Sequence, residues 1–523
     1  MKTLVRLTAT ILLALLATPR AAFAQAAPAQ PAPADPAQPA PAQPAPPAGE
    51  PAAPPLAQPA ASPAKPPDAG VAKGIEWTSL KLMRAKGLIS EDEYSSALKD
   101  MGMPGAGTLM ISKLNVTFFG FAQADFEWNS TQSCNDFCGN LQIQKPGTLR
   151  GDHSRVTFSP RDSRFGVRFA AAEDNGIKAS GLLETDFFGP TTTTEQGTWA
   201  NPVLRIRHAY LKLETPVIDI LFGQTGNLFG WASAYLITGA QEPGLPGQMY
   251  QRTSQLKLSK TIKTDAGVTI ELAVAAERPP QSDAGLPEGV AGFRLQFEKW
   301  TGYHTLYLST SLAQPASIAV TGDLRAFKLA AFLPPANATN FLTGGGVAVD
   351  VFLPIIPASK TSHDGALSVS GEFVTGRGIS DMYTGLGAAG TANAAIPPAT
   401  MGGTPGVYTA NFDPGLAAYD ATGHAELIRW TSYMIGAEYY PPGVGGRIGL
   451  SANYGHMESS NAKNFETAPG RARKRENYYA GGVFCDPTKQ TRIGVDFGFY
   501  DDHYSDDTVA QNSSVMMSSW LFF

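Results

Sequence analysis

Six arginines fall close together early in the chain: Arg155, Arg161, Arg164, Arg168, Arg205 and Arg207. Glu184, Asp186 and Glu271 lie nearby in sequence, and Arg294 and Asp496 extend the charged set. Fixed charges of this kind can do one of two things. Facing one water-filled space, guanidinium groups raise the local concentration of anions through their field. Paired with the carboxylates, they brace a wall and attract nothing. In "RFGVRFAA" Arg164 and Arg168 take the polar side of an alternating run. The expected lining set is therefore Arg164, Arg168, Arg205, Arg207, Arg294, Glu271 and Asp496.

Other reactive groups are sparser. "GRARKRE", 470–476, could grip phosphates or a neighbouring subunit, or simply be a solvated loop. "DDHYSDD", 501–507, offers oxygen ligands but lacks the glycine-turned loop of a calcium site, so no metal is expected. Cys134 and Cys138 stand four apart in "STQSCNDFCGN" and read as a small loop disulfide in an oxidising compartment. Cys485 is left as a packed thiol. G-x-S-x-G, H-E-x-x-H and G-x-x-x-x-G-K-[ST] do not occur, and nothing asks for a cofactor.

These residues must be positioned by strands. From Leu114 onward the pattern has period two. Phe165, Val167 and Phe169 oppose Arg164, Gly166 and Arg168; Val268, Ile270, Leu272 and Val274 oppose Thr269 and Glu271. The same holds for Phe293, Leu295 and Phe297 against Arg294, Gln296 and Glu298. It recurs at Ile448, Leu450, Ala452 and Tyr454, and at Ile493, Val495, Phe497 and Phe499 against Arg492, Asp496 and Tyr500. Full charges on one face, strands of about ten residues and no covering helices point to an antiparallel transmembrane β-barrel rather than a soluble sandwich.

Aromatics gather at strand ends in "EYYPP", "NYY" and "GFYDDHY", where interfacial girdles belong. Connections alternate between tight turns (around Pro216, 441–446, 486–489) and long polar loops (129–154, 224–248, 376–425, 458–475). About seventeen candidate strands emerge, and a barrel of even number predicts about sixteen. The surplus falls within 300–353 or near 217–223. The closing segment "SSVMMSSWLFF" places Val515, Met517, Leu521 and Phe523 on the lipid side.

The start of the chain is different in kind. Residues 1–24 have Lys2 and Arg6, the apolar "TILLALLA" and Ala22-Phe23-Ala24, the plan of a secretory signal peptide. Removing Lys2, Arg6 and Arg20 takes the formal charge from −5 to −8, which gives no reason to expect nucleic acid. Residues 25–72, almost all Ala, Pro and Gln, form an extended tether that could reach peptidoglycan. Residues 73–105 read as a helical stalk in two pieces broken near Gly87, with a capping box at Ser90 and Glu93.

The export signal, the alternation and the final Phe523 resemble the Gram-negative outer-membrane porins over about 110–523. The helical segment, "RIRHAYLKLETP" and "SVSGEFVTGRG" resemble the DcaP-like branch, which carries an N-terminal periplasmic coiled coil. The resemblance implies a homotrimer in outer-membrane lipid and lipopolysaccharide. It also implies a final strand, with Trp520, Leu521 and Phe523, read by the barrel-assembly machinery. The long early loop would fold inward as a constriction bearing Trp231, Tyr235 and Glu242. Glu242 is the only acid of 224–248, a departure from the usual acidic loop set against a basic wall. The expected function is passive diffusion of small hydrophilic solutes, leaning towards anions. Its rivals are a phospholipase-like barrel enzyme using His304 or His456 with a serine, and an adhesin or anchor to peptidoglycan.

Overall fold

Alternation at period two can bury both faces of a sheet only if the sheet closes, and the computed structural model closes it. The residues described are 108–111, 114–134, 143–189, 203–231, 246–279, 285–304, 312–330, 339–358, 362–383, 416–419, 424–466, 469–470 and 472–523. The expected signal peptide, tether and helical stalk lie outside them, as do Cys138, Tyr235 and Glu242.

The strands are β1 (Thr108–Ile111), β2 (Leu114–Asn129), β3 (Arg155–Ser159), β4 (Arg164–Ala171), β5 (Lys178–Asp186), β6 (Arg205–Glu214) and β7 (Asp219–Gly226). There follow β8 (Arg252–Lys263), β9 (Val268–Glu277), β10 (Glu288–His304), β11 (Leu312–Ala330), β12 (Thr339–Ile356) and β13 (Leu367–Arg377). Then come β14 (Ala417–Tyr419), β15 (Ala425–Leu427), β16 (Arg429–Tyr439), β17 (Ile448–Ser459), β18 (Arg473–Thr488), β19 (Thr491–Tyr504) and β20 (Val509–Phe522).

Wall strands pair antiparallel with their chain neighbours, and β20 returns to β2 from Phe121↔Phe522 to Asn129↔Ser514. The seam is tied by reciprocal bonds between Gly120 and Phe523, 3.1 and 3.0 Å. β3 and β4 both pair with β2 and form one stave interrupted at 160–163. β14 and β15 pair only with each other, and β1 lies on the same edge of β2 as β20, from Thr108↔Thr117 to Ile111↔Leu114. The result is a closed barrel of sixteen staves, the number expected. The surplus candidate came from β11: "DLRAFKLA" is the second half of one nineteen-residue strand that begins at Leu312. Among the described residues no helix is long and apolar enough to cross a membrane.

The faces follow the alternation. Phe165, Phe222, Leu272, Val274, Ile435, Ile493, Phe497 and Leu521 are exposed on the outside, while Gln123, Asp125, Glu127, Arg207, Asp350, Glu438 and Asp496 are buried on the inside. Long connections share one rim and tight turns the other, with both ends of the barrel on the turn rim. At the turn rim Asn175 and Gly176 take φ of 51° and 76°, the paired positive values that match hairpin twist.

Wall height is uneven. Strands β4 to β7 have 8 to 10 residues, whereas β10 to β12 have 17 to 19. At about 3.3 Å per residue and a tilt of about 45°, the first group rises roughly 20 Å and the second roughly 40 Å. An apolar band is about 25 Å tall. Outward Trp128, Tyr433, Tyr454 and Tyr479 stand on the tall side. Strands β4 to β9 contain no Trp and only Tyr210, which faces inward in the pairing row of Arg168.

The girdle expected from clustered aromatics is therefore only half there. Tyr440, Tyr478 and Tyr500 point inward and are buried, because in each pair of adjacent aromatics one must take the lumen face, and Tyr504 and Trp520 turn inward as well.

Candidate functional site

Among the described residues, limbs of several connections fold back into the lumen, and three of them are fastened by wall side chains. The limb 227–231 enters over β9 to β12. Leu228 N–H donates to Glu277 Oε1 at 2.8 Å, and Gly230 N–H donates to Thr321 Oγ1 at 3.1 Å. The returning limb 246–251 is held by Met249 N–H on Glu372 Oε1 at 2.7 Å and by Ser432 Oγ–H on Gly247 C=O at 3.2 Å.

Phe229 and Met249 are fully buried in an apolar cluster with Ala273, Ala275, Val374 and Trp430. Burying one such side chain stabilises the loop by about 1.5–3 kcal/mol. Two glycines make the docking sterically feasible. Gly230 has φ +67°, and a Cβ on Gly292 would lie 2.6 Å from the Trp231 ring. The expected inward loop is thus present in its described limbs, with Trp231 packed on that cluster and Arg294 5.2 Å from its ring.

The second inward connection, 378–428, was not anticipated. Its described limbs place Leu416, Ala417, Tyr419 and Leu427 against Phe327 and Leu329 on the inside of β11. Its anchor is Arg325, buried and bonded to Asp381 (2.6 and 2.7 Å), Glu288 (3.0 Å) and Gly378 C=O (2.6 Å). The third is 130–154. Ile143 N–H donates to Asp502 at 2.9 Å, and Tyr504 O–H donates to Ile143 C=O at 2.6 Å. Cys134 is disulfide-bonded, and Cys485 is free.

The anchors share a side. Among the described residues, the wall side chains that anchor these connections lie on β9 to β20, whose inward acids Glu277, Glu288, Asp350, Glu372, Glu438 and Asp496 are at most 4% exposed. The inward face of β4 to β8 instead carries Arg164, Arg168, Arg205, Arg207, Lys212 and Lys257. The lumen has a loop-packed acidic side and a basic side, on which Arg252 donates to Tyr250 Oη of the inward loop at 3.2 Å, Arg164 and Arg207 are buried, and Arg168 is exposed.

Every charged residue expected in the lining does face inward, but pairing separates them. Arg205 meets Asp186 at 2.6 Å; Arg207 meets Asp186 at 2.8 Å and Glu184 at 2.9 Å. Arg164 reaches Asp162 at 3.3 Å and Glu184 at 4.0 Å. Arg294 bonds to Glu271. Arg161, at the break between β3 and β4, donates to Phe187 C=O at 3.3 Å and lies 4.5 Å from the Phe188 ring. Arg168 has no ion pair among the described residues, and its guanidinium lies 3.8 Å from the Phe119 ring. Asp496 is buried on β19, and Trp520 turns inward to donate to Gln123 Oε1 at 2.8 Å.

The basic run at 470–476 also divides. A register shift between Arg473 and Arg475 lets Arg473 turn inward to Glu476 (2.9 Å) and Asp502 (3.2 Å). Lys474 meets Asp507 at 2.8 Å, and Arg475 contacts His503 outside. On the loop rim Lys145 holds Asp506 at 2.8 Å, and that hydrogen bond draws the carboxyl down to about 2. On the turn rim the Gly443 N–H lowers the carboxyl of Asp364 in the same way. No three His, Cys, Asp or Glu among the described residues are arranged to hold a metal.

A family model described as Gram-negative porin matches residues 105–507. Among solved structures, the outer membrane channel DcaP of Acinetobacter baumannii shares the fold at a TM-score of 0.55 and 17% identity, covering 80% of this chain and 100% of that one. The anion-selective porin from Comamonas acidovorans aligns at 12% identity and a TM-score of 0.44, over 78% of this chain and all of the other, too low to add weight. No curated protein matches. A strand-only wall closed on itself, apolar without and charged within, agrees with the family match: the chain belongs to the Gram-negative porins and forms a channel in the outer membrane.

Proposed function

We propose that the channel passes small hydrophilic solutes by passive diffusion and favours anions, small carboxylates among them. One observation carries this reading: the acids inside β9 to β20 are buried beneath the loops, while Arg168 stands exposed on the inner face of β4. A field of one sign along a narrow aqueous passage concentrates the opposite ion. Reversal potentials in planar bilayers under a salt gradient test it. An anion-side potential is expected; a cation-side potential, or absence of current, would overturn it.

The chain is not an enzyme on this reading. His456 lies on the outer wall with its Nδ1 2.8 Å from Asn477 Oδ1 and its ring stacked on Tyr433 at 4.8 Å. Those partners supply no nucleophile, and the His304 side chain lies outside the described residues.

We also propose a homotrimer in lipid and lipopolysaccharide, assembled by recognition of the strand bearing Trp520, Leu521 and Phe523. The wall β4 to β9, free of outward Trp and Tyr and low over β4 to β7, supports it, since a surface shorter than the apolar band is better matched by other copies than by lipid. The Pro/Ala tether and the helical stalk are proposed to lie in the periplasm; an anchoring role on peptidoglycan would be additional to conduction. Native mass spectrometry in detergent reads the trimer, and a lone monomer would overturn it.

A further inference from the structure

The inward arginines are not equivalent, and the difference identifies which charges a permeating ion meets. Asp162, Glu184 and Asp186 face Arg164, Arg205 and Arg207, three acids against three bases within ion-pair distance. Arg294 is matched by Glu271, and Lys212 by Glu214 at 2.5 Å. Opposite charges at such separations act at a distance as dipoles, whose field decays faster than that of a single charge.

Among the described inward cations, Arg168 on β4 and Lys257 on β8 have no carboxylate in ion-pair distance; Lys263, on the same face of β8, has none either but stands exposed at the turn rim. Stacking on Phe119 covers one face of the Arg168 guanidinium without neutralising it, and leaves its in-plane N–H groups to water or a ligand. Lys257 shares a pairing row with Leu221 and Lys212. Arg168 shares the adjacent row with Leu182 and Tyr210. Both cations lie on the basic side of the wall, Arg168 exposed and Lys257 half-buried, below the entry of the inward loop 227–251.

We infer that Arg168 and Lys257 are the specificity-determining charges of the channel, and that the more numerous Arg164, Arg205, Arg207 and Arg294 are braces. The inference rests on the anion-favouring reading for its sign but not for its test. The ligand class is a small anion, inorganic or carboxylate, attracted in turn by two fixed positive charges and held by neither.

The test compares chloride-to-potassium permeability ratios of single-residue variants with that of the wild type, in KCl gradients. Coulomb's law in water at about 8 Å gives a factor of about two per charge. Because each charge favours the anion and disfavours the cation by that factor, R168Q and K257Q are each expected to lower the ratio about fourfold, and the double variant about sixteenfold. R168K should keep the wild-type ratio. R294Q/E271Q, which removes one charge of each sign, should leave the ratio within that same factor of two.

A double variant with the wild-type ratio, at normal heat-modifiable mobility and open-channel conductance, would overturn the inference. So would an equal shift in R294Q/E271Q. Failure of the anion reading is separate: it would show as a cation-favouring wild type, from which the variants must still move further.

Discussion

The two halves of the barrel solve different problems with the same alternating chain. On β10 to β20 the inside is packed with loop side chains, the wall rises highest at β10 to β12, and Glu372 and Asp502 are latches for backbone N–H groups. On β4 to β7 the wall is low, its inside is charged, and its carboxylates brace arginines. A given acid thus has a different role according to what lies above it. Glu372 holds Met249 of an incoming loop, while Glu184, on an uncovered strand, holds Arg207 of its neighbour.

The largest expected effect lies on the packed half. Arg325→Ala strands Glu288, Asp323 and Asp381 without their shared cation. Breaking a buried charge cluster costs about 3–5 kcal/mol, and urea unfolding in detergent micelles should show the midpoint fall accordingly. An unchanged midpoint would mean the cluster is hydrated and the packed half is not dry.

Next come substitutions on the outer face. Phe497→Arg on the tall wall should cost about 2–4 kcal/mol of folding free energy in bilayers, read from vesicle unfolding, and leave subunit number alone. Phe222→Arg on the low wall should instead reduce the oligomer to monomers by native mass spectrometry. If both variants behave alike, the low wall faces lipid and the comparison fails.

A smaller effect distinguishes latch from charge. Glu372→Ala removes the acceptor of the Met249 N–H, a loss of about 1–3 kcal/mol locally, and should raise single-channel conductance as the loop loosens. Glu372→Gln keeps an oxygen acceptor and should conduct as the wild type.

The smallest sits at the rim, on Lys145 and Asp506. The Asp506 carboxyl is drawn from 3.8 down to about 2, so this link contributes fully above the higher value and is lost as pH falls through the lower. Pepsin nicking of loop 130–154 should therefore rise only near pH 2 in the wild type. In Lys145→Gln the link is absent at every pH, so nicking should already be raised at pH 4 and show no further step near pH 2.

Much of the wall was legible in the sequence because alternation is a local property. Arg164 and Arg168 share a face whatever surrounds them, and so do Phe497 and Phe499. What the loops do was far less legible. The pairing of Arg325 with Asp381, or of Asp502 with the backbone of Ile143, joins residues 56 and 359 positions apart, and no periodicity encodes it. The inward turn of Arg473 depends on a single register shift, invisible in a run of basic residues. Nor could composition distinguish a guanidinium that is matched from one that is not. That distinction needed Glu184 and Asp186 placed across from Arg207, with Phe119 rather than a carboxylate beside Arg168.

The seam between β2 and β20 has a temporal consequence. It joins residues 121–129 to 514–522, so the ring cannot be partly shut. Bringing strands nearly 400 positions apart together costs roughly 5 kcal/mol of chain entropy, repaid only once the final register forms. Until then β2 and its growing partners present an open edge of unpaired amides, and the unfinished sheet depends on an escort to keep it from strands of other chains.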